Sequence, residues 1–188
     1  EVERGDSGVE VTIHQERFLY DYLVDDQVDS TVWQVPAGVQ QQGAERKLLL
    51  MENSSTSTTL SGRSGEWVKV NAGQTGFFRA NYSQGEWDRL REAVRSKELS
   101  PVDRLGLQND AYALMRSGRL PATVFLSLAE AFDGETDAPV WGDLAANLRG
   151  LEALLLDAPF ADLYRAFARS RFAEIAGSVG WDAKAGEG

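Results

Sequence analysis

The first 82 residues alternate between apolar and polar side chains over short stretches. Val9, Val11 and Ile13 recur at every second position, which places them on one face of a β-strand. Further short apolar runs, bounded by turn-forming residues, predict strands at 18–22, 31–35, 47–51, 67–70 and 77–82. We expect a turn at Pro36–Gly38 and an edge strand or loop at the Ser- and Thr-rich segment 53–61. Many short strands without intervening helices predict an antiparallel β-sandwich.

From residue 83 the apolar side chains recur every three or four positions, which is the period of amphipathic helices. Ser83 and Glu86 predict a capping box at the start of the first helix. Ser100 followed by Pro101 predicts the start of a second helix, with the serine as its N-cap. Three more helices are expected to begin at Pro121, at 136–139 and at Pro159. Five consecutive helices with short connections predict the first helices of an α-solenoid.

The change of period near residue 82 predicts two domains. Residues 1–82 are expected to form a β-sandwich bridging domain, and residues 83–188 the N-terminal part of a helical superhelix domain. No Gly/Ser-rich linker separates them, so we expect the two domains to pack directly on each other. Because a helical array normally ends in a polar capping repeat, the loop-like end of the sequence indicates that this helical domain is truncated.

Charge and composition disfavour several classes of protein. The 29 acidic and 19 basic side chains give a net charge of −10, which disfavours binding to nucleic acid through a basic face. No apolar run approaches the roughly 20 residues of a membrane-spanning helix, so no membrane partner is expected. Cysteine is absent, which excludes disulfides, thiolate zinc sites and cysteine nucleophiles and favours a cytoplasmic location.

The single histidine, His14, limits the catalytic chemistry of the chain. Catalytic zinc sites commonly take two or three histidine ligands, and Ser-His-Asp catalysis needs a histidine among fixed partners. His14 lies on the polar side of the first alternating run, so we expect it to have a structural role at the surface. Asp25, Asp26 and Asp29 lack the glycine and distal glutamate of an EF-hand loop, which favours an acidic turn over a calcium site.

Three long segments carry the most specific pattern in the sequence. They read WVKVNAGQTGFFRANYS at 67–83, SPVDRLGLQNDA at 100–111 and ETDAPVW at 135–141. Two shorter motifs precede them in order, QERF at 15–18 and WQVP at 33–36. Together these motifs resemble the zinc aminopeptidases of the aminopeptidase N and puromycin-sensitive type. The resemblance is collinear and covers nearly the whole chain.

The resemblance implies that the chain corresponds to two non-catalytic parts of such an enzyme, the β-sandwich and the first part of the superhelical domain. The parent enzyme would use zinc to hydrolyse N-terminal residues from peptides. The family's H-E-x-x-H motif and its G-x-M-E-N loop are both absent from this sequence. Met51-Glu52-Asn53 matches only the last three letters of that loop, because Leu49 and Leu50 precede it. We therefore assign no catalytic residue, metal ligand or cofactor to this chain, and zinc to the parent.

The positions that match the family motifs are expected to have structural roles. They are Trp67, Asn71, Gly73, Gln74, Gly76, Phe77, Arg79, Tyr82, Asp103, Arg104, Gly106, Asp110 and Trp141. Segment 71–76 lacks the spacing of a phosphate-binding loop and predicts a β-turn. Asp103 suits the first turn of a helix, and Arg104 is expected to tie packed elements together. We expect Trp67 and Phe77 to lie in the core of the sandwich.

Two functions from different classes fit these observations. The first is a non-catalytic fragment of a zinc aminopeptidase that links the catalytic domain to the helical wall of the peptide chamber. Its partners would be the catalytic domain and the remaining helices of its own parent chain, with peptide substrate reached through the parent. The alternative is an independent module that binds a peptide or protein at the sandwich edge or at the concave face of the helices. Paired-carboxylate catalysis is disfavoured, because nothing in the sequence places two carboxylates in a cleft.

Overall fold

The computed structural model of the protein describes residues 1–5, 8–20 and 31–180. Its elements are β1 (Val2–Gly5), β2 (Gly8–His14), β3 (Val35–Gln41), β4 (Lys47–Met51), β5 (Ser55–Leu60), β6 (Val68–Val70), α1 (Gln84–Arg95), α2 (Pro101–Arg116), α3 (Ala122–Glu130), α4 (Ala138–Leu154) and α5 (Ala161–Val179). Within the described residues two antiparallel sheets precede five helices, which confirms the predicted order of β and then α structure. The predicted acidic turn at 25–29 and the loop at 181–188 lie outside the described residues.

The chain forms two compact units, Glu1–Ala131 and Phe132–Gly188. The sheets and helices α1 to α3 belong to the first unit, and helices α4 and α5 belong to the second. The domain boundary predicted after residue 82 stays a prediction.

Both sheets contribute to one apolar core. The strand order is β1-β2-β5 in the first sheet and β4-β3-β6 in the second, and all neighbouring strands are antiparallel. Val9 and Val11 of β2 are buried, as the alternation in the sequence predicts. They form one cluster with Val39, Leu60 and Val68, which come from β3, β5 and β6.

The Ser- and Thr-rich segment forms an edge strand with a defined register. β5 pairs with β2 along its whole length, from Val9 opposite Leu60 to His14 opposite Ser55. Thr58 and Leu60 on its inner face are buried. A shift by one residue would exchange these buried side chains for exposed neighbours, and this fixes the register.

The predicted turn at Pro36–Gly38 is wrong, because these residues lie within β3. The third strand of that sheet, β6, pairs with β3 only from Val39 to Gln41. At Pro36, therefore, β3 has a neighbouring strand on one side alone, where Leu50 of β4 lies opposite. Proline, which lacks an N–H, is tolerated in a strand at such a one-sided position.

Three predicted strands are not seen among the described residues. The strand-free segments are 18–20, 31–34 and 77–82, while 21–22 lie outside the described residues. In two of these segments a backbone N–H bonds to a side chain and not to a neighbouring strand. The Trp33 N–H donates to Oε1 of Gln15 at 3.0 Å, and the Ala80 N–H donates to Oδ2 of Asp110 at 3.2 Å.

The five predicted helices are present in the described residues, and one of the two predicted N-caps is confirmed. The Ser100 hydroxyl caps α2 by accepting a hydrogen bond from the N–H three residues later. Ser83 precedes α1 but makes no capping bond through its side chain, so the predicted capping box is wrong. Its expected partner Glu86 is 2% exposed and instead contacts Nη1 of Arg4 at 2.5 Å and Nη1 of Arg89 at 2.9 Å. A buried carboxylate needs such cationic partners, which explains why it does not serve the cap.

The helices of the first unit pack on each other and on the second sheet. Helix α3 contacts both α1 and α2, and α1 also contacts β6. Their buried apolar side chains include Trp87, Leu90, Leu107, Leu114, Phe125 and Leu128. Sheets and helices therefore share one compact unit.

The second unit contains the helices α4 and α5, which contact each other. Leu144 and Leu148 of α4 are buried, and the Tyr164 hydroxyl of α5 donates to the Leu148 carbonyl at 2.7 Å. Trp141 is half-buried, and its ring centroid lies 5.1 Å from that of Phe172. These contacts join α4 to α5.

The two aromatic residues expected in the sandwich core have opposite environments. Trp67 is 6% exposed, as predicted, and its indole N–H donates to Oε2 of Glu98 at 2.9 Å. Phe77 is 110% exposed, so its predicted place in the core is wrong. The half-buried ring of Phe78 lies over Gly76 instead, where a Cβ atom would meet that ring at 2.3 Å.

We expect Trp67→Ala to lower the free energy of unfolding by about 3–5 kcal/mol, because it removes a buried aromatic side chain. Phe77→Ala should change the free energy of unfolding by less than about 0.5 kcal/mol, since the ring is exposed. Urea unfolding of both variants measures the two values. Similar losses at the two positions would contradict these environments.

Candidate functional site

A group of buried charged residues lies where β6 and the loop after it meet α2. Lys69 and Asp110 are each 1% exposed and Asp103 is 6% exposed, and Arg79 contacts Asp110 from the loop. We call these four residues the junction cluster. Buried charges are stable only when they are paired and hydrogen-bonded, so the partners of each group define what the cluster does.

Asp103 holds the start of α2 and the loop at the same time. Its Oδ1 lies 3.4 Å from Nζ of Lys69 and accepts a hydrogen bond from the Gly73 N–H at 2.7 Å. Its Oδ2 accepts a hydrogen bond from the Ser100 hydroxyl at 2.7 Å. A carboxylate in the first turn also interacts favourably with the helix dipole. The carboxylate therefore links β6, the loop and the helix N-terminus.

Asp110 holds the other end of the same loop. Its Oδ1 lies 3.2 Å from Nη1 of Arg79, and its Oδ2 accepts a hydrogen bond from the Ala80 N–H at 3.2 Å. Asp103 and Asp110 are seven residues apart, which places them on one face of α2, two turns from each other. The loop therefore lies along this face and is fixed at both ends.

Burial shifts the pKa values of two members of the junction cluster in opposite directions. Burial lowers the pKa of Lys69, and the nearby carboxylates of Asp103 and Asp110 oppose that shift. Burial raises the pKa of Asp110, and the Ala80 N–H, Lys69 and Arg79 oppose it. In both groups the cost of removal from water outweighs the favourable contacts.

Tyr82 connects the end of the loop to β6. Its hydroxyl lies 3.2 Å from both the N–H and the carbonyl oxygen of Val70. Burial raises the pKa of the Tyr82 phenol, and the nearby carboxylate of Asp110 raises it further. Its ring packs edge-on against Trp87 of α1, with 5.0 Å between the ring centroids. The phenol therefore stays neutral, and its hydrogen bonds hold the end of the loop against β6.

The turn after β6 is closed by an asparagine side chain. Asn71 Oδ1 accepts from the Gly76 N–H at 2.8 Å, and its Nδ2 donates to the Gly76 carbonyl at 2.9 Å. Asn71, Gly73 and Gln74 have φ values of 56°, 78° and 52°, all in the left-handed region. Asparagine and glycine reach this region readily, whereas glutamine does so at a cost. The segment 71–76, predicted as a β-turn, is thus a loop with three residues in the left-handed backbone region, and the Asn71 side chain holds it closed.

Gly106 lets the braced loop lie directly on α2. A Cβ atom at this position would lie 2.0 Å from Cδ of Gln74, far inside van der Waals contact. Gly106 falls between Asp103 and Asp110 on the same face of the helix, three and four residues from them. The close approach brings the loop N–H groups within reach of both carboxylates.

The structure brings most of the motif residues to this one place. Those at the junction are Asn71, Gly73, Gln74, Gly76, Arg79, Tyr82, Asp103, Gly106 and Asp110. Arg104 is buried nearby and donates to the Leu99 carbonyl at 2.6 Å. Trp141 belongs to the second compact unit, where its indole N–H donates to the Glu135 carbonyl at 2.7 Å. Phe77 points to solvent.

Sequence reasoning missed Lys69 as a site residue. The alternation in β6 puts Val68 on the core side and predicts a solvated Lys69 on the other. Both residues are buried, because α2 brings Asp103 to the second face of the strand. The strand itself carries no signal of this burial, because a lysine between two valines is also the pattern of a strand with one solvated face.

The contacts of the junction cluster hold β6, the loop and α2 together. The Lys69 amine is buried, and its contacts are Asp103 and the Val70 carbonyl.

Within residues 1–5, 8–20 and 31–180, no three His, Cys, Asp or Glu side chains are grouped so that they could hold a metal ion. In the same ranges no helix is both long and apolar enough to cross a membrane. His14 has a side chain that is 57% exposed, as predicted.

Comparison with known sequences identifies the family. Residues 67–188 match the family model of the ERAP1-like C-terminal domain, and the chain therefore belongs to this family. The match begins at β6 and includes the whole junction. The resemblance to aminopeptidase N-type zinc aminopeptidases, inferred from the motifs, is confirmed.

Individual relatives are all much longer than this chain. It is 32% identical to puromycin-sensitive aminopeptidase of Caenorhabditis elegans over 76% of the chain and 15% of the relative. It is 35% identical to aminopeptidase M1-A of Oryza sativa subsp. japonica over 65% of the chain and 14% of the relative. The identity to aminopeptidase 2 of Candida albicans is 27% over 92% of the chain and 19% of the relative. The chain thus spans less than a fifth of each of these aminopeptidases.

Lys69→Met should lower the free energy of unfolding by about 3 kcal/mol, because it leaves the buried carboxylate of Asp103 without its cation. Adding Asp103→Asn removes the unpaired charge and should restore part of the loss. Chemical unfolding of the single and double variants measures both effects. Equal stability of the wild type and Lys69→Met would show that the pair does not stabilise the junction.

The same variant tests the protonation of Lys69. Because the pKa of Lys69 in the folded protein lies below 10.5, the unfolded chain binds more protons at this group between the lowered pKa and 10.5. The stability of the wild type relative to Lys69→Met should therefore rise with pH across that window. A flat difference between the two pH profiles would contradict the lowered pKa.

Gly106→Ala should destabilise the protein by about 1–2 kcal/mol, because the new methyl group displaces the Gln74 amide. Gly142→Ala in α4 is the matched control, since nothing lies within 4 Å of a Cβ atom there. It should be neutral or stabilising by up to about 1 kcal/mol, as helix propensity predicts. With Gln74→Ala added, Gly106→Ala should behave like this control. A double-mutant cycle by urea unfolding measures the coupling, and simple additivity would contradict the close approach.

Proposed function

We propose that the chain is a non-catalytic part of a zinc aminopeptidase, which links the catalytic domain to the helical wall of the chamber that admits peptides. The parent enzyme hydrolyses N-terminal residues from peptides. The observation that carries this proposal is the family match over 67–188, together with relatives that are named aminopeptidases and are five or more times longer than the aligned segment.

The fold supports a linking role. In the proposal residues 1–82 form a β-sandwich, and the shared core of the two sheets supports this assignment. Residues 83–188 form the first helices of an α-solenoid, which the successive contacts of α2 with α3 and of α4 with α5 support. The junction cluster joins the end of the second sheet and the loop after it to α2 through ion pairs with two buried carboxylates. Such a joint keeps neighbouring elements in a fixed orientation.

The residues of this chain do not fit a zinc site. His14 is its one histidine, and the contact of its Nε2 with Glu1 is 4.0 Å long and exposed. Catalytic zinc needs three protein ligands with at least one open position. The proposal therefore assigns zinc, the general base and the reacting peptide to the part of the parent outside this chain.

The partners in this proposal are the catalytic domain and the remaining helices of the same parent chain. Peptide substrate is reached through the parent, and neither nucleic acid nor a membrane is a partner. The acidic net charge of −10 supports the first exclusion. The lack of cysteine supports a cytoplasmic location.

The reading frame around Glu1 and Gly188, with the activity of its products, tests the proposal. We expect an H-E-x-x-H motif with a later glutamate upstream and further helices downstream. The purified 188-residue chain should release no p-nitroaniline from leucine p-nitroanilide, with or without added zinc. The full-length product should release it and should lose this activity on chelation.

Activity of the 188-residue chain that depends on one equivalent of zinc would overturn the proposal. A reading frame confined to these residues would favour the independent peptide- or protein-binding module instead.

A further inference from the structure

Phe77 is the most exposed large apolar side chain among the described residues. Its side chain is fully exposed, at 110%, and Leu163 follows at 75%. Single exposed apolar residues are normal at protein surfaces. A fully exposed aromatic ring on a well-held loop is different, because aromatic side chains often anchor protein interfaces.

The loop that carries Phe77 is fixed on both sides of it. Before it, the Asn71 amide holds Gly76 by two hydrogen bonds of 2.8 and 2.9 Å. After it, Arg79 is paired with the buried carboxylate of Asp110. The ring of Phe78 occupies the space over Gly76, so the neighbouring ring has no place against the loop. The loop therefore presents Phe77 in one orientation.

Such presentation reduces the entropy that an interface must lose on formation. The surroundings also resemble the rim of an interface, because Thr75 and Arg79 on either side are exposed polar residues. A central aromatic residue inside a polar rim is the usual anatomy of a protein–protein contact.

We propose that Phe77 is an anchor through which this chain docks into an apolar pocket of the catalytic domain of its parent. The inference rests on the proposed function. The matched family is described as a C-terminal domain, and the chain covers only 14–19% of the relatives named above. In the proposed function the catalytic domain belongs to the large remainder of the same parent chain, so it is present at a fixed ratio to Phe77.

Labelling of a cysteine next to the anchor tests the docking without removing Phe77. The chain has no cysteine, so Thr75→Cys introduces a unique thiol in it. Peptide-resolved maleimide labelling compares the rate at this thiol in the 188-residue chain and in the full-length parent. We expect labelling to be about tenfold slower in the parent, because the docked pocket covers the site and must open first. Denaturing the parent should abolish the difference.

A second variant ties the protection to the aromatic ring. Adding Phe77→Ser to Thr75→Cys should restore fast labelling in the parent, whereas adding Phe77→Leu should preserve most of the protection. Phe77→Ser should also leave the unfolding temperature of the 188-residue chain unchanged. This control separates docking from folding.

Equal labelling rates in the chain and in an active, zinc-containing parent would overturn the docking inference alone. Protection that survives Phe77→Ser would also overturn it, because the ring would then not be the anchor. A parent without a zinc motif or peptidase activity would overturn the proposed function itself. The failures of the two proposals can therefore be told apart.

Discussion

The carboxylate of Asp103 is the contact on which the union of sheet and helices in the first unit depends. It pairs with Lys69 of β6, accepts from the Gly73 N–H of the loop and accepts from the Ser100 hydroxyl that caps α2. Each partner comes from a different stretch of chain, so one buried group sets the position of all three. Removing its charge from water is costly, and the cost is offset only when all these partners are in place.

Local signals in the sequence predicted most of the elements and few of their connections. The alternation in β2 and the serine and proline at the start of α2 report on structure within a few residues, and both predictions are confirmed. The predictions for Pro36–Gly38 and for 77–82 are wrong, because the conformations of these segments depend on residues far away in the sequence. Pro36 lies in a strand because β6 is too short to reach it. The Ala80 N–H is bound by a carboxylate of α2 and not by a neighbouring strand.

The candidate site shows the same division between what the motifs reveal and what only packing decides. The resemblance to the family motifs pointed to Asn71, Gly106 and Asp110, but it did not show why each of these residues is needed. The reason for Gly106 is the glutamine amide that lies against it, which is far away in sequence. Lys69 was missed, because alternation cannot reveal that a helix covers the second face of its strand. Phe77 was misplaced, since two adjacent phenylalanines compete for one inner position and sequence does not say which ring takes it.

The shared face of α2 has a consequence for how the length of this helix can vary. Asp103, Gly106 and Asp110 meet the loop together because their spacings of three and four residues match the helical turn. Inserting or deleting one residue between Asp103 and Asp110 would rotate Asp110 by about 100° around the helix axis and carry it off the loop. A change of length by a single residue in this part of α2 is therefore incompatible with the junction.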